Sequence, residues 1–328
     1  TIYTTIALLC ASTSVPVLAQ VATNADPSTN NQPAASDQAP ASSDIIVTAQ
    51  KRSERLQDVP ISIITQSAAQ LQAAGVQTTK DLTKVIPGLV FAQNEAYSQP
   101  AIRGVTSSIT VAGSENPIAI YLDGVYQPSA TGALYDLPDV DHIEVLKGPQ
   151  GTLFGRNATG GAIQIFTKTP SYKTTGKITV SDGVYTGGSA HNANEISVNG
   201  FISGPIVDGK LAYSISGFLR NNPGYLVNDV NGNEAGKQRS YGTRVKLLWE
   251  PTDTVKFLLS GYYNNTRDEA AYSRAPLNGV TAGATFADAV VPVRPWHIAV
   301  DPNQPDFMRL KSYGVSLRGD IKSSIGTF

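Results

Sequence analysis

Cysteine is nearly absent from these 328 residues; the single one, Cys10, lies in the apolar run at residues 6–11. A chain that loses residues 1–19 therefore has none, which suits an exported protein without disulfides and excludes thiolate metal sites and cysteine catalysis. Charge is scarce as well: Asp, Glu, Lys and Arg make up 16% of the chain and the formal net charge is −1. Such a balance argues against nucleic acid as the partner. No stretch approaches the roughly 18 uninterrupted apolar residues of a spanning helix, so any membrane insertion must use strands. His142, His191 and His297 lie far apart, and the one metal-like grouping, Asp139, Asp141, His142 and Glu144, sits where a loop enters a strand. No metal is assigned there, no cofactor is implied, and no serine elbow, zinc-helix motif or paired carboxylate points to an enzyme.

Glycine, at 29, and tyrosine, at 14, are abundant. The most informative stretch runs from Val140 to Pro170, VDHIEVLKGPQGTLFGRNATGGAIQIFTKTP. Ile143, Val145 and Lys147 alternate with more polar residues, and Ala162–Thr167 forms a second β-branched, apolar run. Gly148, Gly151, Gly155, Gly160 and Gly161 stand between them. Gly155 and Gly160 have the spacing of a phosphate loop, yet Gly161 and Ala162 occupy the positions where Lys and Ser or Thr are required. The glycines are read instead as permitting left-handed or crowded backbone in a tightly packed turn.

The remaining chain divides by texture. Residues 1–19 read as a secretory signal ending Val17-Leu18-Ala19, although Thr1 replaces the expected initiator and basic leader. Residues 20–43 are too polar to bury a core and read as a disordered tether. Asp44, Ile45, Ile46, Val47, Thr48 and Ala49 follow as a short β-prone run, read either as a peptide that adds a strand to a partner's sheet or as the first strand of the next domain. Within 51–170, Ser67 caps a helix through Ala74 that Gly75 ends, and Thr78 with Asp81 opens another that stops at Pro87-Gly88. Strands are expected near 89–92, 101–103, 118–122, 143–147 and 162–167, giving a small α+β globule. Loops at 93–100 and 105–116 offer Gln93, Asn94, Tyr97, Gln99, Ser107, Ser108 and Asn116 as ligand-contact candidates, against the plainer reading of solvated loops. After Pro170, alternation takes over. Leu211, Tyr213, Ile215 and Leu219 face away from Lys210, Ser214, Ser216 and Arg220; Tyr241, Val245, Leu247 and Trp249 face away from Arg244, Lys246 and Glu250. Short turns near 204–209 and 250–253 alternate with long connections at 221–239 and 264–308, the pattern of an outer-membrane barrel, although the strands of a soluble sandwich would also alternate.

The segment from Ile143 to Pro170 resembles the end of the plug domain of TonB-dependent outer-membrane receptors. Further segments resemble that family in order: Asp44 to Ala49 its TonB box, Asp58-Val59-Pro60-Ile61-Ser62 the plug's opening, and Ile102-Arg103-Gly104 and Tyr121 to Tyr126 two internal strands. The resemblance covers about residues 44–328 and is strongest through Pro170. It implies an α+β plug domain, residues 51–170 after a TonB box at 44–50, followed by the first antiparallel strands of a 22-stranded transmembrane β-barrel at 171–328. Plugged transporters close with 22 strands of about 9 to 11 residues each. Only about six candidate strands are present, so the chain is expected to be the N-terminal part of a longer receptor.

The implied function is active transport of a scarce ligand across the bacterial outer membrane, most commonly a ferric siderophore, with cobalamin, oligosaccharides or aromatic compounds as alternatives. A passive porin-like or adhesive barrel is the rival reading. The implied partners are TonB with its inner-membrane energising complex, outer-membrane lipid and an iron chelate. Arg103, Glu144 and Arg156, all within family-like segments, are expected to form a polar latch between plug and barrel.

Overall fold

The computed structural model describes residues 46–47, 54–55, 58–59, 61–94, 97–109, 113, 115–128, 136–185, 194–269, 296–299, 307–323 and 326–327. The expected signal and tether, and Asp44, Ile45, Thr48 and Ala49, lie outside these residues. The first described elements are β1 (Ile46–Val47) and β2 (Glu54–Arg55), which pair antiparallel with Ile46 opposite Arg55.

The globular part holds β3 (Ser62–Ser67), α1 (Ala68–Ala73), a 3-10 turn at Thr79–Lys84, β4 (Leu89–Asn94), β5 (Tyr97–Ile102), β6 (Ile118–Leu122), β7 (Val125–Tyr126), β8 (Val140–Lys147), α2 (Gly151–Phe154) and β9 (Gly161–Thr167). Five of these strands form one sheet in the order β3-β8-β9-β6-β7, with β6 and β9 parallel and the other pairs antiparallel. Helix α1 starts where expected: the Ser67 hydroxyl accepts from Gln70 N and the Gln70 side chain accepts from Ser67 N, a reciprocal cap, and Gly75 follows at φ 67°. Leu71, Leu82 and Ile86 from the helical side bury against Ile143, Val145, Ile163 and Ile165 on one face of the sheet. Leu146, Ala162, Ala119 and Phe154 form a second cluster.

The glycine run earns its place by crowding. At Gly161, φ is +147° and a Cβ would fall 2.3 Å from the Leu146 carbonyl oxygen, so no side chain fits. One expectation needs correcting. Gln93, Asn94, Tyr97 and Gln99 belong to paired strands, with Gln93 opposite Ser98 and Asn94 opposite Tyr97, because main-chain pairing carries the hairpin beyond its apolar stretch.

After Pro170 come β10 (Thr175–Val184), β11 (Asn194–Val207), β12 (Leu211–Asn222), β13 (Leu226–Asn228), β14 (Glu234–Ala235), β15 (Gln238–Thr252), β16 (Val255–Asp268), β17 (His297–Ile298), β18 (Met308–Ser323) and β19 (Gly326–Thr327). Seven of them make an antiparallel wall ordered β10-β11-β12-β15-β16-β18-β19; β13, β14 and β17 form a small sheet at the end of the wall that carries the long connections. Alternation sorts the wall's two faces. Ser214, Ser216, Arg244 and Lys246 are buried against the globule, while Ile178, Val180, Ile215, Leu219, Val245, Val315 and Leu317 are exposed on the far side. No described helix is long and apolar enough to cross a membrane, which says nothing of strands.

Candidate functional site

Inward-facing side chains of the wall meet carboxylates of the globule. The β6–β7 hairpin turns on Asp123-Gly124, both at positive φ, the two-residue turn that Asp-Gly favours. The turn aims the Asp123 carboxylate back at β9, where it accepts from Thr167 N at 2.8 Å and Thr167 Oγ1 at 2.6 Å. Lys246 Nζ of β15 completes the site, 2.9 Å from Asp123 and 3.2 Å from the Thr167 carbonyl. Lys246 is 2% exposed, a burial that a lysine tolerates only when paired.

Asp139, just before β8, is buried and accepts from Arg244 Nη1 at 2.7 Å and Ser216 Oγ at 2.7 Å. Asp136 lies 2.9 Å from Arg220 Nη1; Arg220 also stands 3.2 Å from Glu195 and donates to Gln77 Oε1 at 2.9 Å. Burial raises the Asp136 carboxyl above its usual range, with the Arg220 charge opposing. Arg220 pairs in register with Ser240, so through β15 the three cations stand at the levels of residues 240, 244 and 246. Six residues of strand separate the outermost from the innermost, about 20 Å. Closer to the short-turn end, Tyr172 donates to Glu250 at 2.6 Å, and burial together with that carboxylate pushes the phenol up to about 12.

At the long-loop end a cavity of about 590 Å³ opens between the 3-10 turn and the wall, lined by residues that include Lys80, Gln93, Arg220, Tyr185, Tyr225 and Trp296. Tyr185 stacks on Tyr225 at 5.0 Å and Trp296 meets Tyr225 edge-on at 5.9 Å. Burial, then Glu195, pushes the Tyr185 phenol up to about 12, so it serves as a hydrogen-bond donor at neutral pH.

The residues singled out in the sequence fall differently. Gln93 lines this cavity. Gln99 donates to the Ser107 carbonyl at 3.1 Å and Asn116 to the Ser98 carbonyl at 3.1 Å, so those two hold β5 and its following loop together. Asn94 and Tyr97 face each other across the β4–β5 pair, and Ser108 is exposed. The proposed latch residues form their observed bonds inside the globule. Arg103 donates to Ser62, Glu144 accepts from Gln164 at 3.1 Å, and Arg156 pairs with Glu115 at 3.0 Å. Glu144 is held by its in-register neighbour on β9, and Arg156 projects from the exposed turn after α2. The ion pairs seen between globule and wall join Asp123, Asp136 and Asp139 to Lys246, Arg220 and Arg244 respectively. Those cations were visible as the polar face of alternating strands; of the aspartates, Asp139 stood out only in a metal-like grouping and Asp123 only inside a family-like segment.

A globule bonded to the inner face of a strand wall whose outer face is apolar defines a plugged outer-membrane receptor. Residues 55–162 match the TonB-dependent Receptor Plug Domain, and the relatives that follow support the TonB-dependent receptor family of the bacterial outer membrane. It is 36% identical over 217 residues to the pesticin receptor of Yersinia pestis, covering 64% of this chain and 30% of that protein. A vitamin B12 transporter of Vibrio cholerae is 30% identical over 214 residues, covering 62% of this chain and 32% of the transporter. Among solved structures, the ferric yersiniabactin uptake receptor of Yersinia pestis superposes with a TM-score of 0.65 at 28% identity, over 80% of this chain and 39% of that one. The chain thus spans about a third of the length of these curated relatives.

Proposed function

We propose that this chain is the plug and first wall strands of a receptor that actively imports a ferric siderophore through the outer membrane. The observation that carries the reading is the sealed interface: three plug carboxylates fixed to three wall cations beneath an outward-opening, aromatic-lined cavity. A plug fastened this way blocks passive flow, so transport needs work done on it. Asp44 to Ala49 supply the handle: an extended peptide that adds a strand to TonB, whose inner-membrane complex delivers the pull. The pairing of Ile46–Val47 with Glu54–Arg55 supports an extended backbone at that position. Siderophore cargo is favoured by the ferric yersiniabactin receptor among the structural relatives. Gln93, Asn94, Tyr97, Gln99, Ser107, Ser108 and Asn116 mark the plug segments assigned to the ligand side, with Gln93 nearest the cavity.

Accumulation of 55Fe-loaded siderophores in cells carrying the full-length gene tests this. Uptake that stops when TonB is deleted or a protonophore is added supports the reading. Uptake that continues under both conditions indicates a passive barrel and refutes it.

A further inference from the structure

The wall carries a second charged array, on the opposite face from the plug. In the registers of β15, β16 and β18, Arg239 stands directly opposite Arg267, and Arg267 directly opposite Arg309. Neighbouring strands lie about 4.8 Å apart, so three arginines share a span of about 10 Å. Like charges directly opposite one another destabilise a sheet unless an anion lies between them. Parity places all three outside: Arg239 shares a face with exposed Tyr241 and Val245, and all three arginines are exposed. One row closer to the wall's middle, exposed Lys311 stands opposite Asn265, itself opposite Tyr241. A cleft of about 250 Å³ lies at the row, lined by Lys237, Arg239, Arg267 and Glu269. Glu269 is 3.5 Å from Arg267, and the Arg267 guanidinium lies 4.0 Å over the Phe307 ring. Among the described residues, Arg239, Arg309 and Lys311 have no ion pair.

The position of this row identifies its occupant. Exposed tyrosines 241, 263 and 313 sit just below it, and Trp249, stacked on Phe257 at 5.5 Å, marks the other end of the outward face. Tyr241 to Trp249 is eight residues, about 27 Å along the strand and about 20 Å along the membrane normal at the usual barrel tilt. That approaches the ~25 Å apolar band between aromatic girdles. The arginines therefore emerge at the headgroup level of the outer leaflet, facing lipid and not the lumen. Guanidinium groups bind phosphate oxygens through paired hydrogen bonds. We infer that Arg239, Arg267 and Arg309, with Lys311, form a binding site for the phosphate groups of an outer-leaflet lipid. The inference rests on the wall spanning the outer membrane.

Native mass spectrometry of the full-length receptor, purified in mild detergent, tests it with three probes: the bis-phosphorylated glucosamine-disaccharide lipid of bacterial outer membranes, its dephosphorylated form, and inorganic phosphate. The wild type is expected to retain the phosphorylated lipid, R239Q/R267Q/R309Q to lose at least fivefold of the bound fraction, and the corresponding triple lysine variant, which keeps the charge but not the paired donors, to fall between the two. R239Q alone serves if the triple variant does not assemble, with a smaller loss expected in the same direction. Equal occupancy in wild type and glutamine variants overturns the site, as does equal binding of the dephosphorylated lipid. Inorganic phosphate that displaces no lipid but binds equally well without it also overturns the assignment. Outer-membrane fractionation of the same proteins separates the failures. A receptor in the outer membrane that imports iron but shows no lipid contrast overturns this inference alone, whereas one absent from that membrane overturns both.

Discussion

Asp139→Asn removes the charge at the middle of the plug–wall interface while keeping the shape of the side chain. The carboxylate accepts two bonds of 2.7 Å, from Arg244 and Ser216, and the pair is buried, with side-chain exposures of 9% for Arg244 and 4% for Asp139. Removing one member of such a pair leaves an uncompensated charge and costs about 3–5 kcal/mol. The small residual exposure of Arg244 favours the lower value, and about 3 kcal/mol is a factor of roughly 150 in the opening equilibrium. A reporter is available at Ala212, fully buried on the inward-facing set of β12. In an A212C background, thiol labelling under mild urea is expected to accelerate by about two orders of magnitude in D139N. Adding R244Q removes the stranded cation, and the double variant is expected to regain at least half of the lost protection. Labelling within threefold of the parent in D139N, or additive costs in the double variant, refutes the latch.

Other perturbations follow from the same contacts. Gly161→Ala forces a Cβ into the Leu146 carbonyl at a φ that side chains rarely adopt, and is expected to cost on the order of 3 kcal/mol or more, read as lost trypsin resistance of the plug. Asp123→Ala is expected to destabilise the plug more than Lys246→Met, because it strands a buried ammonium and frees Thr167, while the methionine change leaves Asp123 with its two Thr167 bonds. For His142, burial lowers the pKa, but bonds to Glu144 and Asp141 outweigh it and hold the folded value above 6.5. The charged ring thus contributes stability that is complete below pH 6.5 and lost as pH rises through the folded value, so plug melting is expected to fall across that window and to flatten in H142Q.

Much of the fold was legible in local pattern. Ile118–Leu122 forms the expected strand, α1 has the expected cap, and the wall strands divide into the two faces that period-two alternation defines. Gln93, Asn94, Tyr97 and Gln99 read as loop because most of their side chains are polar, whereas main-chain pairing places them in β4 and β5. The interface was half legible. Arg220, Arg244 and Lys246 stood out as charges on one face of otherwise apolar strands, but Arg244 is 105 residues from its partner Asp139 in sequence, and Arg220 is 143 from Gln77. No local periodicity encodes contacts of that separation. Arg103, Glu144 and Arg156 attracted attention through family-like segments, yet charge within a motif does not reveal which way a side chain bonds.

The most direct test of energised import is photocrosslinking from Val47 of the full-length receptor to TonB, with and without candidate iron chelates. Adduct formation that rises with one chelate and disappears in a Val47→Pro variant carrying the crosslinker at Ile46, which cannot complete a strand ladder, is the expected result. No adduct with any chelate, or an adduct unchanged by both ligand and proline, contradicts it.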